Sequence, residues 1–348
     1  MTSRERVLTA LRHQEPDRVP LDLGGGTTGI EVEAYDRLKA LLRFQSQTRT
    51  FARDHVEVDE PLLERFGVDT RYVRVGGPRG YRLQIDEDNS YLDIWGTRWQ
   101  KPPSSLYWDM VGHPIAEPTL DSLKQYRWPD PHDPGRTDGL KQRAKTLLDT
   151  TDYAVVLDVT GFGVFEQGWA LRGFENFYMD LVAEPRFAEA LMQGVADYRI
   201  ALYDRVLAEV GSSVHVVMVA EDLGSQDSPL ISPDTYRRMI KPAQKRVWQF
   251  IKSKTNANLF LHSCGSVRKF IPDLIEIGVD ILNPVQVAAA DMDPRELKRE
   301  FGKDLTFWGG GCDTQKVLTF GTPDDVEREV CQRIASLAPG GGFVFNQI

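Results

Sequence analysis

Cysteine is scarce in this chain and odd in number, three in 348 residues. That argues against a disulfide framework and leaves thiols available for other chemistry. Basic charge is short as well: 42 Lys and Arg against 51 Asp and Glu give a net charge of −9. With no basic stripe interleaved with aromatics, nucleic acid is not an expected partner. Long apolar runs are missing. The opening Met1-Thr2-Ser3-Arg4-Glu5-Arg6 has no stretch of the kind a signal peptide needs, and no later run approaches a membrane span. No membrane association is expected, and the protein reads as cytoplasmic. Internal repeats, low-complexity tracts and linkers are absent too, so residues 1–348 read as one domain. The glycine run Gly24-Gly25-Gly26 continues into Thr27-Thr28 without the Lys-Ser/Thr ending of a Walker phosphate loop.

What is present is a strand-then-helix rhythm. Short β-rich runs bounded by Gly, Pro or Asp fall at 19–23, 71–75, 154–159, 214–220, 259–262, 280–284, 305–309 and 342–347. Helical periodicity falls between them, clearest at 33–42, 186–210, 233–253, 266–277 and Pro323–Leu337. Eight such units predict an α/β chain folded as a (β/α)₈ TIM barrel, whose active site lies at the C-terminal ends of the strands. One segment, 81–101, alternates apolar and polar residues around Glu87-Asp88-Asn89-Ser90 and reads as an inserted β-hairpin, a lid or a partner surface. After the run at 342–347 the chain stops at Ile348. The helix that would cover this last strand is missing, and an uncovered parallel strand exposes apolar surface. The expectation at this point is a truncated chain.

The strongest chemical signal is His262-Ser263-Cys264, where the apolar Leu259-Phe260-Leu261 runs into Gly265. Residues two apart in a strand share a face. A further cysteine, Cys312, follows the seventh run through Gly309-Gly310-Gly311. One imidazole and two thiolates form a catalytic zinc shell with the fourth position open. The competing reading makes both cysteines small buried hydrophobes and His262 a hydrogen-bonded core residue. Glu221 and Asp222 end the fourth run. Either could move a proton, Glu221 could fill the open metal position, or one of them could cap the downstream turn. Asn283 and Gln286 in Asn283-Pro284-Val285-Gln286 would orient a substrate or satisfy loop backbone. Between Thr160 and Arg172, Glu166 and Trp169 suit a substrate pocket wall, or ordinary helix packing with a surface ion pair. Cys331 reads as a helix-core passenger.

Over nearly its whole length the chain resembles the uroporphyrinogen decarboxylase superfamily. The residues that carry the resemblance are Arg4-Glu5-Arg6-Val7-Leu8-Thr9-Ala10-Leu11, Pro16-Asp17-Arg18-Val19-Pro20, Pro229-Leu230-Ile231-Ser232-Pro233 with Tyr236 and Lys241-Pro242, and His262-Ser263-Cys264-Gly265 through Gln286. More narrowly, His262-x-Cys264 with a distant Cys312 is similar to the zinc signature of the corrinoid-linked methyltransferase branch, which includes methylcobamide:coenzyme M methyltransferases. That resemblance implies a TIM barrel with zinc on those three side chains. The decarboxylases carry an arginine-rich Arg-Gln-Ala-Gly-Arg segment after strand one, where this chain has Leu23-Gly24-Gly25-Gly26-Thr27-Thr28. A tetrapyrrole's carboxylates would lack bidentate partners here.

The resemblance therefore implies a zinc-dependent methyltransferase that moves a methyl group between a corrinoid carrier and a thiol or methylated small molecule. With no spare domain for it, the corrinoid would arrive on a separate protein. A homodimer is implied by the superfamily alone. The alternative enzyme is a decarboxylase or lyase on a small carboxylic acid, with Arg172 or Arg74 lining the cavity. A third reading is a non-catalytic zinc scaffold in which Cys331 closes the site.

Overall fold

The barrel strands are short, largely apolar runs whose side chains alternate with period two, and this parity sorts them into two cores. The computed structural model describes residues 1–347 apart from 53, 54, 106 and 160; Thr160, at the head of the expected pocket wall, and Ile348 lie outside the described residues. Seven parallel strands form the main sheet: β1 (Thr70–Arg74), β2 (Ala154–Asp158), β3 (Val216–Ala220), β4 (Asn258–His262), β5 (Ile281–Asn283), β6 (Thr306–Trp308) and β7 (Phe343–Val344). Each pairs in parallel with the next in sequence. The expected first strand, 19–23, survives as a single parallel bridge between Leu21 and Phe345. It still links the two sheet edges, because Asp22 N donates to Phe345 O at 3.0 Å and Asp69 N donates to Leu21 O at 2.8 Å. Pro20 supplies no N–H, which shortens this ladder.

Inside the ring, Ala154 and Val156, Val216 and Met218, Phe260, Ile281, Trp308 and Val344 pack together, with Val7 and Leu11 of α1 (Ser3–Leu11) joining them. The alternate residues, among them Val155, Leu157, Val217, Val219, Leu259, Leu261 and Phe307, face the helices. Those helices include α2 (Val164–Arg172), α3 (Pro185–Val210), α4 (Lys241–Lys254) and α5 (Pro323–Leu337). The helix expected over 233–253 is broken by a wide turn at Tyr236–Ile240 just before Pro242, where proline cannot donate to the ladder.

Two expectations change. The insertion is not a two-stranded hairpin over 81–101 but a three-stranded antiparallel sheet of Ser90–Leu92, Arg98–Gln100 and Asp109–Gly112. It is anchored on the barrel: Trp99 stacks on Phe162 with centroids 6.0 Å apart, and Thr97 Oγ1 donates to Ala170 O of α2 at 3.0 Å. The last strand does not expose an apolar face. Phe343 and Val344 are buried, and Phe343 belongs to the same outer core as Leu337 of α5.

Asp22 staples the barrel from within. Its carboxylate accepts from Tyr72 Oη at 2.9 Å, from Trp308 Nε1 at 2.9 Å and from Thr70 Oγ1, so one side chain joins β1, β6 and the closing segment. Burial pushes its pKa up, against the pull of these donors. Among the described residues, no helix is long and apolar enough to cross a membrane.

Candidate metal and active site

Strand parity separates two acids that adjoin in sequence. In β3, Val216 and Met218 face the barrel axis and Val217 and Val219 face outward, so Glu221 follows the outer set and Asp222 the inner one. Glu221 is 1% exposed. Its Oε2 accepts from Val164 N at 2.8 Å, and its Oε1 accepts from the backbone N–H groups of Phe165 and Glu166, each at 2.9 Å. These are orphan donors of the first turn of α2, which has no side-chain cap of its own. A carboxylate from a neighbouring strand thus caps the helix, where the macrodipole favours negative charge. Gly163 makes the approach possible, since a Cβ there would lie 2.2 Å from Glu221 Oε2. These three contacts make Glu221 a cap of α2.

Asp222 faces the other way. Its Oδ1 accepts from Cys264 N at 2.7 Å, and Cys264 Sγ lies 3.4 Å from His262 Nε2. Ligand atoms of Asp222, His262 and Cys264 all lie within 4.8 Å of one another. The loops that carry them are pressed together at two glycines. A Cβ on Gly265, whose φ is +81°, would come 2.4 Å from Gly224 C, and one on Gly224 would come 2.6 Å from Ser266 N. Only residues without a side chain allow that contact.

His262 is held in one tautomer. Asn283 Nδ2 donates to Trp308 O at 2.8 Å, which leaves Asn283 Oδ1 as the acceptor, 2.6 Å from His262 Nδ1. Nδ1 therefore carries the proton and Nε2 presents its lone pair toward Cys264. This is the outer support a metal-bound histidine needs. Asn283, expected to touch substrate, is fully buried and committed to the ring and to β6. Gln286 accepts from Gly265 N at 2.8 Å and donates to Gln226 at 2.9 Å, so it braces the cysteine loop. Gln226 and Gln315, which the sequence did not single out, complete this rim network.

The donor set fits zinc. Bond lengths of about 2.0–2.1 Å to nitrogen and about 2.3 Å to sulfur put two tetrahedral ligands about 3.5 Å apart, close to the observed His262–Cys264 separation of 3.4 Å. The electrostatics also suit a cation. Burial and the charges of Asp222 and Glu166 push the Cys264 thiol well above its ordinary range. Glu166 is raised well above the usual carboxylate range by burial, then by Asp222 and Glu221. A positive ion among these groups would relieve both.

Other expected residues are placed elsewhere. Cys312 is outside the group of three: its Sγ donates to Glu329 Oε2 at 3.3 Å, and the same oxygen accepts from Asp313 N at 3.1 Å. Burial and the Glu329 charge push its pKa up to about 11. Trp169 packs edge-on against Phe165 at 5.0 Å, with Phe174 and Tyr178 beside it. Arg172 is paired with Asp180 at 2.8 Å. Arg74 lies level with Asp158 in the β1–β2 register and bonds to Gly24 O. The glycine run crosses this side of the mouth, with Gly26 N donating to Asp158 Oδ2 at 3.0 Å. Cys331 is exposed on α5. The spacing Asp-x-His-x-x-Gly, associated with cobalamin ligation, falls at Asp130, His132 and Gly135. It forms a surface turn in which Asp133 accepts from Arg79 N and Gly135 N and His132 is exposed.

The sequence profile described as Uroporphyrinogen decarboxylase (URO-D) matches residues 112–347. The chain belongs to the uroporphyrinogen decarboxylase (URO-D) family. Its fold is accordingly the family's TIM barrel. Within 231 aligned residues, 64% of this chain, it is 25% identical to the methylated-thiol–coenzyme M methyltransferase of Methanosarcina mazei. The match spans 57% of that relative's length. Among solved structures, a methyltransferase from Methanosarcina mazei superposes with a TM-score of 0.63, over 100% of this chain and 93% of the other, at 18% identity. That likeness is one of fold.

Proposed function

We propose that this URO-D family member is a zinc-dependent methyltransferase that moves a methyl group between a corrinoid carried by a separate protein and a thiol or methylated small molecule. The observation that carries the reading is the pair of His262 Nε2 and Cys264 Sγ, 3.4 Å apart, with Asn283 fixing the imidazole from behind. A core histidine in simple packing has no need of a thiol on its second nitrogen and a buried amide on its first. The similarity to a methylated-thiol methyltransferase points the same way.

His262 and Cys264 would hold the zinc, with Cys312 or Asp222 as third donor. When bound, the metal supplies a Lewis acid that lowers the pKa of a coordinated thiol and keeps its sulfur nucleophilic near neutral pH. Asn283 keeps the imidazole lone pair aimed at the site. The Gly224–Gly265 contact holds Asp222 against the Cys264 loop. Glu166, whose pKa burial and then the charges of Asp222 and Glu221 raise well above the usual carboxylate range, would hold a proton beside the site. The corrinoid protein docks on the rim, with the three-stranded sheet of Ser90–Gly112 beside it.

The alternative, a decarboxylase or lyase on a small carboxylic acid, rests on Arg74, whose guanidinium stands at the glycine-run side of the mouth. Metal analysis of protein purified without added zinc or chelator, beside a Cys264→Ser/Cys312→Ser double variant, separates the two. About one zinc per chain, lost in the variant, supports methyl transfer. A folded, reduced wild type without zinc moves the alternative to first place.

A further inference from the structure

Residues 81–86 have the sequence of a strand and no ladder to join. Tyr81, Leu83 and Ile85 alternate with Arg82, Gln84 and Asp86, the period of an extended chain with one covered face. In the structure all six are exposed, Leu83 by 40% and Ile85 by 50%. Gly80 and Asn89, both at positive φ, turn the chain on either side, and no residue between them has a positive φ. The segment bonds to the insertion sheet at its ends, where Tyr81 Oη donates to Leu92 O at 3.3 Å and Asp86 N donates to Ser90 O at 2.7 Å. Among the described residues, no hydrogen bond reaches the backbone N–H or C=O groups of residues 82–85. An exposed run of unpaired backbone with an apolar face is a template for another strand.

We infer that two copies of this chain dimerise through residues 81–86, which pair antiparallel with the same residues of the second copy about a two-fold axis at Gln84. That register sets Leu83 against Ile85, Arg82 against Asp86 and Gln84 against itself. Each match is a favourable cross-strand pair: two apolar side chains, two opposite charges, and two amides that both donate and accept. The charges are free to meet. Arg82 is exposed and has no ion pair among the described residues, and Asp86 meets Arg98 at a long 3.4 Å with its side chain 48% exposed. Moving the axis by half a residue sets Leu83 against Gln84 and Arg82 against Ile85, so the sequence itself selects the register. A contact of this kind uses the same patch on both copies and closes at two, which also removes the open edge.

The test follows the full-length protein by analytical ultracentrifugation over a concentration series, beside a Leu83→Lys/Ile85→Lys double variant. Both positions are exposed, so the variant should fold, which its urea midpoint checks. The wild type is expected to be a dimer, and the variant, with lysines facing lysines, to associate at least about ten-fold more weakly. Cross-linking then reads the register. In a Cys331→Ser background, which removes the exposed thiol, Gln84→Cys sets two cysteines directly opposite, with Cα atoms about 4.5–5.5 Å apart and within disulfide reach. Mild oxidation should give a covalent dimer. Arg82→Cys sets them about 14 Å apart along the strands and should give none. A wild type that is monomeric throughout the series overturns the inference. So does a dimer that survives Leu83→Lys/Ile85→Lys, or one that links through Arg82→Cys as readily as through Gln84→Cys. Either result leaves the chemistry proposed for His262 and Cys264 untouched.

Discussion

Glu221→Ala tests whether the acid after β3 is a helix cap or a member of the active site. Its carboxylate satisfies three backbone N–H groups at the start of α2, at 2.8–2.9 Å, in a position that is 1% exposed. Each buried donor left without a partner costs about 1–3 kcal/mol. Water entering the vacated space recovers part of this, so a loss of about 4 kcal/mol is expected. That is a large share of the 5–15 kcal/mol of total stability that is usual for a domain. Glu221→Gln keeps the shape but turns an N–H₂ toward Val164 N, and it should lose about 2 kcal/mol. Urea unfolding followed by circular dichroism gives both values, and zinc content is measured on the folded fraction. Both variants should retain zinc in proportion to the folded protein. If Glu221→Ala unfolds within about 1 kcal/mol of the wild type yet loses its metal, Glu221 belongs to the site and the capping argument is wrong.

Three further outcomes are expected. Asn283→Ala should weaken zinc roughly 10- to 100-fold in chelator competition, whereas Asn283→Asp, which still accepts from His262 Nδ1 but loses the donor to Trp308 O, should bind zinc more tightly than Asn283→Ala while unfolding at lower urea than the wild type. Gly25→Ala should destabilise by about 1–3 kcal/mol in thermal unfolding, because its Cβ would lie 2.6 Å from the Tyr72 ring. His215 Nδ1 accepts from Val155 N at 2.9 Å, and burial, then the charge of Arg4, lowers its pKa. The unfolded chain therefore takes up a proton near pH about 6.5 while the folded one does not. This contribution to stability is present above that pH and is lost as pH falls toward the folded pKa. Urea midpoints at mildly acidic and mildly alkaline pH should differ less in His215→Gln than in the wild type; equal slopes would contradict the assignment.

The barrel was legible because its strands are β-rich runs closed by Gly, Pro or Asp. Seven of the eight expected strands form at their predicted places, and Pro323–Leu337 forms with the bounds its periodicity gave. The first was overread because Pro20 breaks its ladder. The insertion was underread because Asp109–Gly112, the strand that completes it, alternates only weakly. At the site, His262 and Cys264 could be read from their shared strand face. The division between Glu221 and Asp222 was also implicit in β3: parity from Val216 and Met218 onward already sends the two acids to opposite sides. What sequence could not show is that Glu329, on α5, holds Cys312, or that Asn283 bonds to His262. Those are contacts between elements distant in the chain, and spacing carries no record of them.

The central claim is methyl transfer at the His262–Cys264 centre. It is tested most directly by mixing the purified protein with methylcobalamin and a panel of thiols, and by mixing reduced cobalamin with methylated thiols, amines and methoxylated compounds, while following the cobalamin spectrum. Turnover with at least one substrate is expected in the zinc-loaded protein, and none after zinc removal or in Cys264→Ser. Turnover that persists equally in the stripped protein and in Cys264→Ser would contradict it, as would a fully zinc-loaded protein that transfers no methyl group in either direction.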